Sequence, residues 1–208
     1  MSIAKQVHSY IVHQRYGRVF SLDDFLKVSN LESRKVAVVA AFRRCISDKL
    51  IVRLSPGMYY KPKKSRFGYL PVDTQELIKA YSRKKRADYV ISGASAANAL
   101  GISTQLPMVR SYIMTERVRA ELKTVNIKIE YSKALSYFSQ HLKVSDKEQK
   151  EKAMLFWSAL HYIDKDRFEE YSKELSSCFD RSLNDAVKVK FLKALPPSMA
   201  WARNRLTH

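Results

Sequence analysis

Arginine, lysine and small apolar residues occur together between residues 33 and 64. A guanidinium group can pair bidentately with guanine, and small apolar side chains can contact thymine methyl groups in the major groove of DNA. Basic side chains outside the groove position a protein by contacting phosphates. We therefore predict two classes of contact in this stretch. The groove-facing residues would be Ser33, Arg34, Lys35, Val38 and Ala41, with Arg44 on the same outward face, and the phosphate contacts would be Arg53, Lys61, Lys63 and Lys64.

A helix followed by a β-hairpin would hold these residues. Apolar residues recur at three- and four-residue steps between residues 36 and 50, which predicts one buried stripe of a helix. The period then changes to that of two strands, residues 51–54 and 58–61. Ser55-Pro56-Gly57 would join the strands, because proline presets the first corner of a turn and glycine accepts a positive φ. The predicted inward stripe is Val36, Val39, Phe42, Ile46 and Leu50.

Two further helices precede this unit. Ile3, Val7 and Ile11 have the spacing of a helix with one buried face. Ser21 lies three residues before Asp24, which predicts the N-terminal cap of a second, short helix. The order helix, helix, turn, helix, hairpin predicts a winged helix-turn-helix DNA-binding domain over residues 1–66.

The positive charge is uneven along the chain. The formal net charge is +18, and residues 1–70 hold 14 Lys/Arg against 4 Asp/Glu. Residues 71–144 hold 12 against 6, and residues 145–208 hold 12 against 10. A uniformly basic surface would suit acidic membranes, RNA or DNA alike. A charge that is concentrated on one helix-hairpin unit favours a nucleic-acid surface there.

The rest of the chain predicts two further regions. Strand patterns at residues 89–91, 109–114 and 125–131 alternate with helical patterns, including a small-residue helix from Ala94 to Leu100. From residue 145 onward only helical periodicity remains, which predicts three amphipathic helices. The predicted fold class is α+β. Its regions are the winged helix-turn-helix over residues 1–66, a small mixed α/β domain over 71–144 and a helical C-terminal extension over 145–208.

A serine-containing turn raises the alternative of hydrolysis. Residues 92–97, SGASAA, follow a predicted strand and open a predicted helix, which is the context of a nucleophile elbow with Ser95 as nucleophile. Asp146 and His161 follow it in an order that a catalytic triad can have. Ala97 stands where the second glycine of the elbow is expected. Close packing of a helix against a strand is the favoured interpretation, and we predict no catalytic residue and no enzyme.

Patterns that would bind a metal or cofactor are missing from the sequence. No two of the histidines are spaced as ligands on one helical turn, and the phosphate-binding pattern GxxxxGK[ST] does not occur. Cys45 and Cys178 form neither a metal pattern nor a disulfide framework. No apolar run approaches the roughly 20 residues of a membrane span. We expect no metal, no cofactor, no membrane insertion and a cytoplasmic location.

Two motifs resemble the AbiEi family of antitoxins, transcriptional regulators of type IV toxin-antitoxin (abortive infection) systems. The first motif is RLSPGMYYKP at residues 53–62, and the second is SGASAANALGI at residues 92–102 followed by TQLP at 104–107. The resemblance covers roughly residues 1–132. It implies a winged helix that binds inverted repeats in its own promoter. We expect the protein to bind this DNA as a monomer or a dimer. The resemblance also implies that the following domain is needed for antitoxicity against a nucleotidyltransferase toxin, AbiEii.

A different class of function stays open at this point. Winged helices also serve as docking modules, so the chain could bind RNA or a protein without recognising an operator. A mobility shift with upstream DNA would distinguish these functions.

Overall fold

Ser21 and Asp24 set the point at which the first strand becomes a helix. In the computed structural model, which describes residues 1–105, 107–118 and 126–206, Asp24 N donates to Ser21 Oγ at 3.0 Å. Ser21 N donates in turn to Asp24 Oδ2 at 2.7 Å. These bonds satisfy backbone N–H groups that the first turn of a helix leaves without partners. The cap predicted at these residues is confirmed.

Helices and short strands alternate through the first compact unit, whose described residues are Met1–Arg86. A 3-10 turn at Glu32–Arg34 leads into its third helix. The helices are α1 (Ile3–His13), α2 (Leu22–Ser29), α3 (Lys35–Ser47) and α4 (Thr74–Lys85), and the strands are β1 (Val19–Ser21), β2 (Val52–Ser55), β3 (Met58–Tyr60), β4 (Lys64–Ser65) and β5 (Gly68–Tyr69).

An antiparallel sheet in the order β1-β3-β2 packs against an aromatic core. The Tyr59 ring on β3 lies 4.9 Å from the Phe42 ring on α3, measured between centroids. The Phe42 ring lies 5.7 Å from that of Phe25 on α2. Aromatic pairs at these separations add to the free energy gained by burying their area. One cluster therefore holds both helices against the sheet.

The described contacts also group α4 with the first unit. Asp73 Oδ1 accepts a hydrogen bond from Gln75 N at 2.6 Å and caps the helix. Near the other end of α4, Arg83 Nη2 donates to the carbonyl of Val19 on β1 at 3.2 Å. The sequence had suggested a division between residues 66 and 71. In the structure that segment is the β4-β5 hairpin, and the helix after it packs back onto β1.

The second unit comprises residues 87–105, 107–118 and 126–206 among those described. Its sheet has the order β6-β7-β8, with β6 antiparallel and β8 parallel to the central strand. The strands are β6 (Tyr89–Ile91), β7 (Arg110–Met114) and β8 (Ile127–Tyr131), and the helices are α5 (Ala94–Ala99), α6 (Lys133–His141), α7 (Lys147–Ile163), α8 (Ser172–Ser182), α9 (Asp185–Ala194) and α10 (Trp201–Arg205).

Helix α7 joins the strands and the C-terminal helices into one core. The hydroxyl of Ser158, which is 1% exposed, donates to Ile91 O at the end of β6 at 2.8 Å. On another part of the same helix, the Phe156 ring lies 5.1 Å from that of Phe179 on α8 and 5.5 Å from that of Phe191 on α9. Residues from the segments 71–144 and 145–208, which the sequence suggested as separate regions, thus share one apolar core.

The coarse sequence-based description agrees with these elements. The mixed α+β class is confirmed, as are the three middle strands and the three long C-terminal helices α7, α8 and α9. Val125 of the third predicted strand and Leu106 of the second motif lie outside the described residues. Helix α6 was not predicted. No helix among the residues described is long and apolar enough to cross a bilayer.

Each unit contains one buried free thiol. Cys45 lies on α3 in the first unit, and Cys178 lies on α8 in the second. Burial raises the pKa of the Cys45 thiol, with the nearby Asp48 carboxylate acting in the same direction. The Cys45 thiol is therefore held in its unreactive, protonated form.

Candidate nucleic-acid interface

The buried stripe of α3 determines which of its residues face outward. Val38 and Phe42 are fully buried, and Ala41 and Cys45 are 6% and 5% exposed. These positions have the i, i+3, i+4, i+7 spacing of one helix face. The opposite face carries Val36, Ala40, Arg43 and Ser47, all of which are exposed.

Two residues predicted to face the groove are therefore misplaced. Val38 and Ala41 belong to the aromatic core and present no surface to a ligand. Conversely, Val36 was predicted to lie in the core but is 86% exposed. The error arose because valine and alanine occur on both faces of this helix, so hydrophobicity alone did not fix its phase. Counting Ala41 and Cys45 as core residues would have given the observed stripe.

The cations predicted at the start and near the end of α3 are exposed. Ser33 and Arg34 lie in the 3-10 turn before the helix, Lys35 is its first residue, and Arg44 lies in its last turn. Arg43, which was not among the predicted site residues, lies at the centre of the outward face. Its position three residues after Ala40 and seven after Val36, both on the outward face, was the available signal, once the phase of the helix is known.

The two ends of α3 have different electrostatic surroundings. Near the first turn, Asp23 and Glu32 line a shallow depression together with Lys27 and Lys35. Acidic and basic side chains are thus mixed at this end. At the other end, Arg43 and Arg44 are exposed, with Asp48 as the nearest acid along the chain.

Arg53 on β2 extends the basic surface from α3 onto the sheet. Arg53 is exposed and pairs in register with Tyr59 on β3. Burial raises the pKa of the Tyr59 phenol, while the charges of Arg53 and Arg43 act in the opposite direction. The two guanidinium groups therefore lie within electrostatic range of the same phenol. A basic patch of Arg43 and Arg53 spans α3 and β2, and the exposed Arg44 follows Arg43 in the chain.

The turn between β2 and β3 is packed against other parts of the first unit. Ser55 is 8% exposed, and its hydroxyl lies 2.7 Å from the Tyr81 hydroxyl on α4. Gly57 O accepts a hydrogen bond from Leu22 N at 3.0 Å. Lys84 Nζ donates to Pro56 O at 3.4 Å. This turn is held in place from two sides.

Lys61 has a structural role that the sequence did not indicate. Its Nζ donates to the carbonyls of Val12 and Gln14 at 2.6 and 2.9 Å and lies 4.6 Å from the Tyr16 ring centroid. The ammonium thus satisfies carbonyls at the C-terminal end of α1, which a helix leaves without partners. The ammonium that was predicted to contact phosphate is thus engaged by carbonyl groups within the first unit. Lys63 and Lys64 remain exposed at the root of the β4-β5 hairpin.

The serine turn of the second unit does not assemble a catalytic triad. Asp146 caps α7 by accepting a hydrogen bond from Gln149 N at 2.8 Å, whereas His161 lies in the last turn of that helix. A rise of 1.5 Å per residue separates them by roughly 22 Å. Ala96 and Ala97 after Ser95 are fully buried, which agrees with close packing of α5.

Metal-ligand clusters are not found in the part of the chain that the structure describes, since no three His, Cys, Asp or Glu side chains converge there. The partly exposed carboxylate of Asp88 nevertheless has several hydrogen-bond partners. Asp88 accepts hydrogen bonds from Lys150 Nζ at 2.7 Å and from the Ser139 hydroxyl. Burial raises the pKa of Asp88, but the bonds from Lys150 and Ser139 together outweigh it and leave the pKa below its ordinary value.

Comparisons with known proteins identify a family. The chain matches no curated protein. A solved structure described as "Crystal structure of RV2827C protein from Mycobacterium tuberculosis" superposes with a TM-score of 0.47 at 15% sequence identity, over 99% of this chain and 76% of that chain. A family model described as "Family of unknown function (DUF6088)" matches residues 6–179. Because this match spans well over half of the sequence, the chain belongs to the DUF6088 family.

Proposed function

We propose that the first unit is a winged helix-turn-helix that binds double-stranded DNA through the outward face of α3. The order α1, β1, α2, α3, β2, β3 and the sheet order β1-β3-β2 support this assignment. In such domains the helix after the turn enters the major groove. The observation that carries the proposal is the exposed face of α3 with Arg43 at its centre, directly opposite the buried stripe.

The chemistry of this face suits the major groove. Arg43 can donate two hydrogen bonds to one guanine, and the exposed methyl groups of Val36 and Ala40 can contact thymine methyls. Arg34 and Lys35 would enter from the first turn. Arg53 and Lys63 would contact the flanking phosphates, and each such contact releases condensed counterions. The resulting site consists of Ser33, Arg34, Lys35, Val36, Ala40, Arg43, Arg44, Arg53, Lys63 and Lys64.

We further propose that the DNA is the promoter of the chain's own operon and that the protein is an antitoxin of the AbiEi type. The two motifs at residues 53–62 and 92–107 support this proposal through the resemblance described above. In this proposal the protein represses transcription in the cytoplasm, performs no catalysis and has a nucleotidyltransferase toxin as its partner. Two copies on an inverted repeat would place their α3 helices about 34–36 Å apart, or a multiple of that distance.

Binding to defined duplexes tests the DNA proposal. The upstream intergenic DNA and a random duplex of equal length are titrated with the protein at about 50 and 200 mM salt. With 6–10 phosphate contacts, the affinity should fall by roughly 10³- to 10⁵-fold between these salt concentrations. Arg34→Ala and Arg43→Ala should reduce the preference for upstream DNA, whereas Lys63→Ala should weaken both duplexes alike.

The same titration separates the alternative functions. If neither duplex binds at low salt, the DNA proposal fails, and an RNA- or protein-binding module becomes the better account. If Arg34→Ala and Arg43→Ala weaken both duplexes equally, the groove contacts are assigned to the wrong residues. Co-purification with the product of a neighbouring nucleotidyltransferase-like gene tests the antitoxin proposal separately.

A further inference from the structure

The β4-β5 hairpin presents an aromatic side chain to solvent at its tip. Lys64 pairs with Tyr69 and Ser65 with Gly68, so that Arg66 and Phe67 form the turn. Phe67 is 87% exposed. Removing an apolar ring from water is favourable, and the first unit does not bury this one itself.

The hairpin holds this exposed ring in a defined turn. Ser65 Oγ donates to Gly68 O at 2.8 Å and accepts a hydrogen bond from Phe67 N at 3.2 Å. Gly68 has a φ of 114°, which a residue with a side chain rarely adopts. At the base of the hairpin, Leu70 N donates to Lys63 O at 2.8 Å. The tip therefore has a defined, hydrogen-bonded conformation and is not an irregular linker.

Cations surround the exposed ring. The Arg66 guanidinium lies 4.7 Å from the Phe67 ring centroid, and Lys63 and Lys64 are exposed at the hairpin's base. Acidic residues do not occur between Asp48 and Asp73 in the sequence. An apolar wedge with basic neighbours complements a polyanion whose interior consists of stacked bases. DNA-bending proteins insert such side chains between base steps in the minor groove.

The root of the hairpin lies at the end of the sheet that adjoins α3. Tyr60, the last residue of β3, pairs with Val52, which begins β2 five residues after α3 ends. Phe67 lies seven residues after Tyr60, and a chain of seven residues reaches at most about 25 Å. A major groove and the adjoining minor groove are roughly half a helical turn, ~17 Å, apart. The chain between β3 and Phe67 is thus long enough to span that distance.

We propose that the β4-β5 hairpin binds the minor groove of the same DNA, where Phe67 wedges into a base step and bends the duplex. Arg66 lies in the groove beside it, and Lys63 and Lys64 contact the flanking phosphates. This inference rests on the proposed DNA-binding function. It assigns the minor-groove contact to the second hairpin because the β2-β3 turn is packed against α2 and α4.

Bending of an end-labelled duplex tests this assignment. The full chain is added to the upstream intergenic duplex, which carries a donor dye at one end and an acceptor dye at the other. In a second set of duplexes of the same sequence, 2-aminopurine replaces one base at a time. The wild type should raise energy transfer and increase 2-aminopurine fluorescence at one step. Phe67→Ser should abolish both signals and reduce affinity about tenfold, as expected for the loss of one base-aromatic contact. Phe67→Leu, which retains an apolar wedge, should preserve the bend.

The outcomes distinguish the hairpin proposal from the DNA proposal. If the wild type binds the duplex and Phe67→Ser binds and bends it equally well, the wedge is overturned while DNA binding stands. If the wild type binds DNA without any bend, the wedge is likewise overturned. If no duplex binds, both proposals fail, and the hairpin is better explained as a contact for a protein or single-stranded nucleic acid. Because Phe67 is exposed, an unchanged melting temperature should accompany each variant.

Discussion

The basic residues of the two units have different surroundings. Residues 1–86 hold 19 Lys/Arg against 6 Asp/Glu, and residues 87–208 hold 19 against 14. Among the described residues, every ion pair within 4 Å lies in the second unit. These pairs are Lys128–Glu130, Lys147–Glu151, Lys150–Asp88, Lys152–Glu148, Lys188–Asp180, Lys188–Asp185 and Arg205–Glu169.

This difference bears on binding more than on stability. Exposed ion pairs contribute only about 0–1 kcal/mol each, so the second unit gains little stability from its pairs. Their effect is to neutralise its surface. The first unit keeps a positive potential that can attract a polyanion and raise its rate of association. Equal numbers of cations thus give two units with different surfaces.

The largest expected effects come from the separate aromatic cores. Phe42→Ala in the first core and Phe156→Ala in the second should each lower the free energy of unfolding by about 3–5 kcal/mol. Only Phe42→Ala should also abolish duplex binding, because Phe42 anchors α3 to the sheet. Denaturant unfolding and fluorescence anisotropy measure the two effects. Equal loss of binding in a folded Phe156→Ala variant would contradict the division of roles between the units.

A matched pair of exposed cations gives the next largest effect. Arg43→Ala should weaken binding to a preferred duplex by about 1–3 kcal/mol, since one bidentate base contact is lost. Lys147→Ala serves as the control because Lys147 is 90% exposed and has Glu151 at 3.9 Å in the second unit. Its duplex affinity should be unchanged in the same titration. If both variants lose affinity equally, the positive surface extends over both units.

Substituting Lys61 and substituting Lys63, which one proline separates, should affect different properties. The first should change the stability of the first unit, and the second should change its DNA binding. Lys61→Ala should destabilise the first unit by about 1 kcal/mol, because two carbonyls near the end of α1 lose their donor. Lys63→Ala should leave the melting temperature unchanged and reduce the slope of log affinity against log salt by about 1. Thermal melts and salt titrations of both variants measure these effects. If Lys63→Ala lowered the melting temperature and Lys61→Ala reduced the salt slope, the structural and phosphate-binding roles would be assigned to the wrong lysines.

The smallest expected effect concerns the pH dependence of the second unit. The pKa of Asp88 is held below its ordinary value, so the folded state binds its proton less readily than the unfolded state. This stabilisation is complete above about pH 4 and is lost as the pH falls through the lower folded pKa. Asp88→Asn should remove that part of the acid sensitivity. Unfolding curves between about pH 2 and 6 should therefore converge for the two proteins at low pH.

Local sequence patterns predicted most of the helices and strands that surround the candidate site. The Ser21 and Asp24 cap involves neighbours three residues apart, and the predicted strands follow from alternation along the chain. The phase of α3 could not be predicted as securely, because Val36 and Val38 are equally apolar. Tertiary packing selected Val38 for the core.

Features that depend on distant residues were missed. The partners of Lys61 lie 47 and 49 residues earlier in the chain, so nothing in its local sequence indicated that its ammonium would be bound. The β4-β5 hairpin has strands of two residues each, which give too short a pattern to distinguish from a linker. Both features decide which cations are available at the candidate site.

The distribution of cysteines makes each unit individually observable. With one buried thiol in α3 and one in α8, a thiol reagent can modify either residue only when the surrounding core opens. Mass spectrometry of the two cysteine-containing peptides would then record two opening rates from a single labelling experiment. A DNA duplex that binds the first unit should slow modification of Cys45 and leave that of Cys178 unchanged. The modification rate of each cysteine thus reports how often the core around it opens.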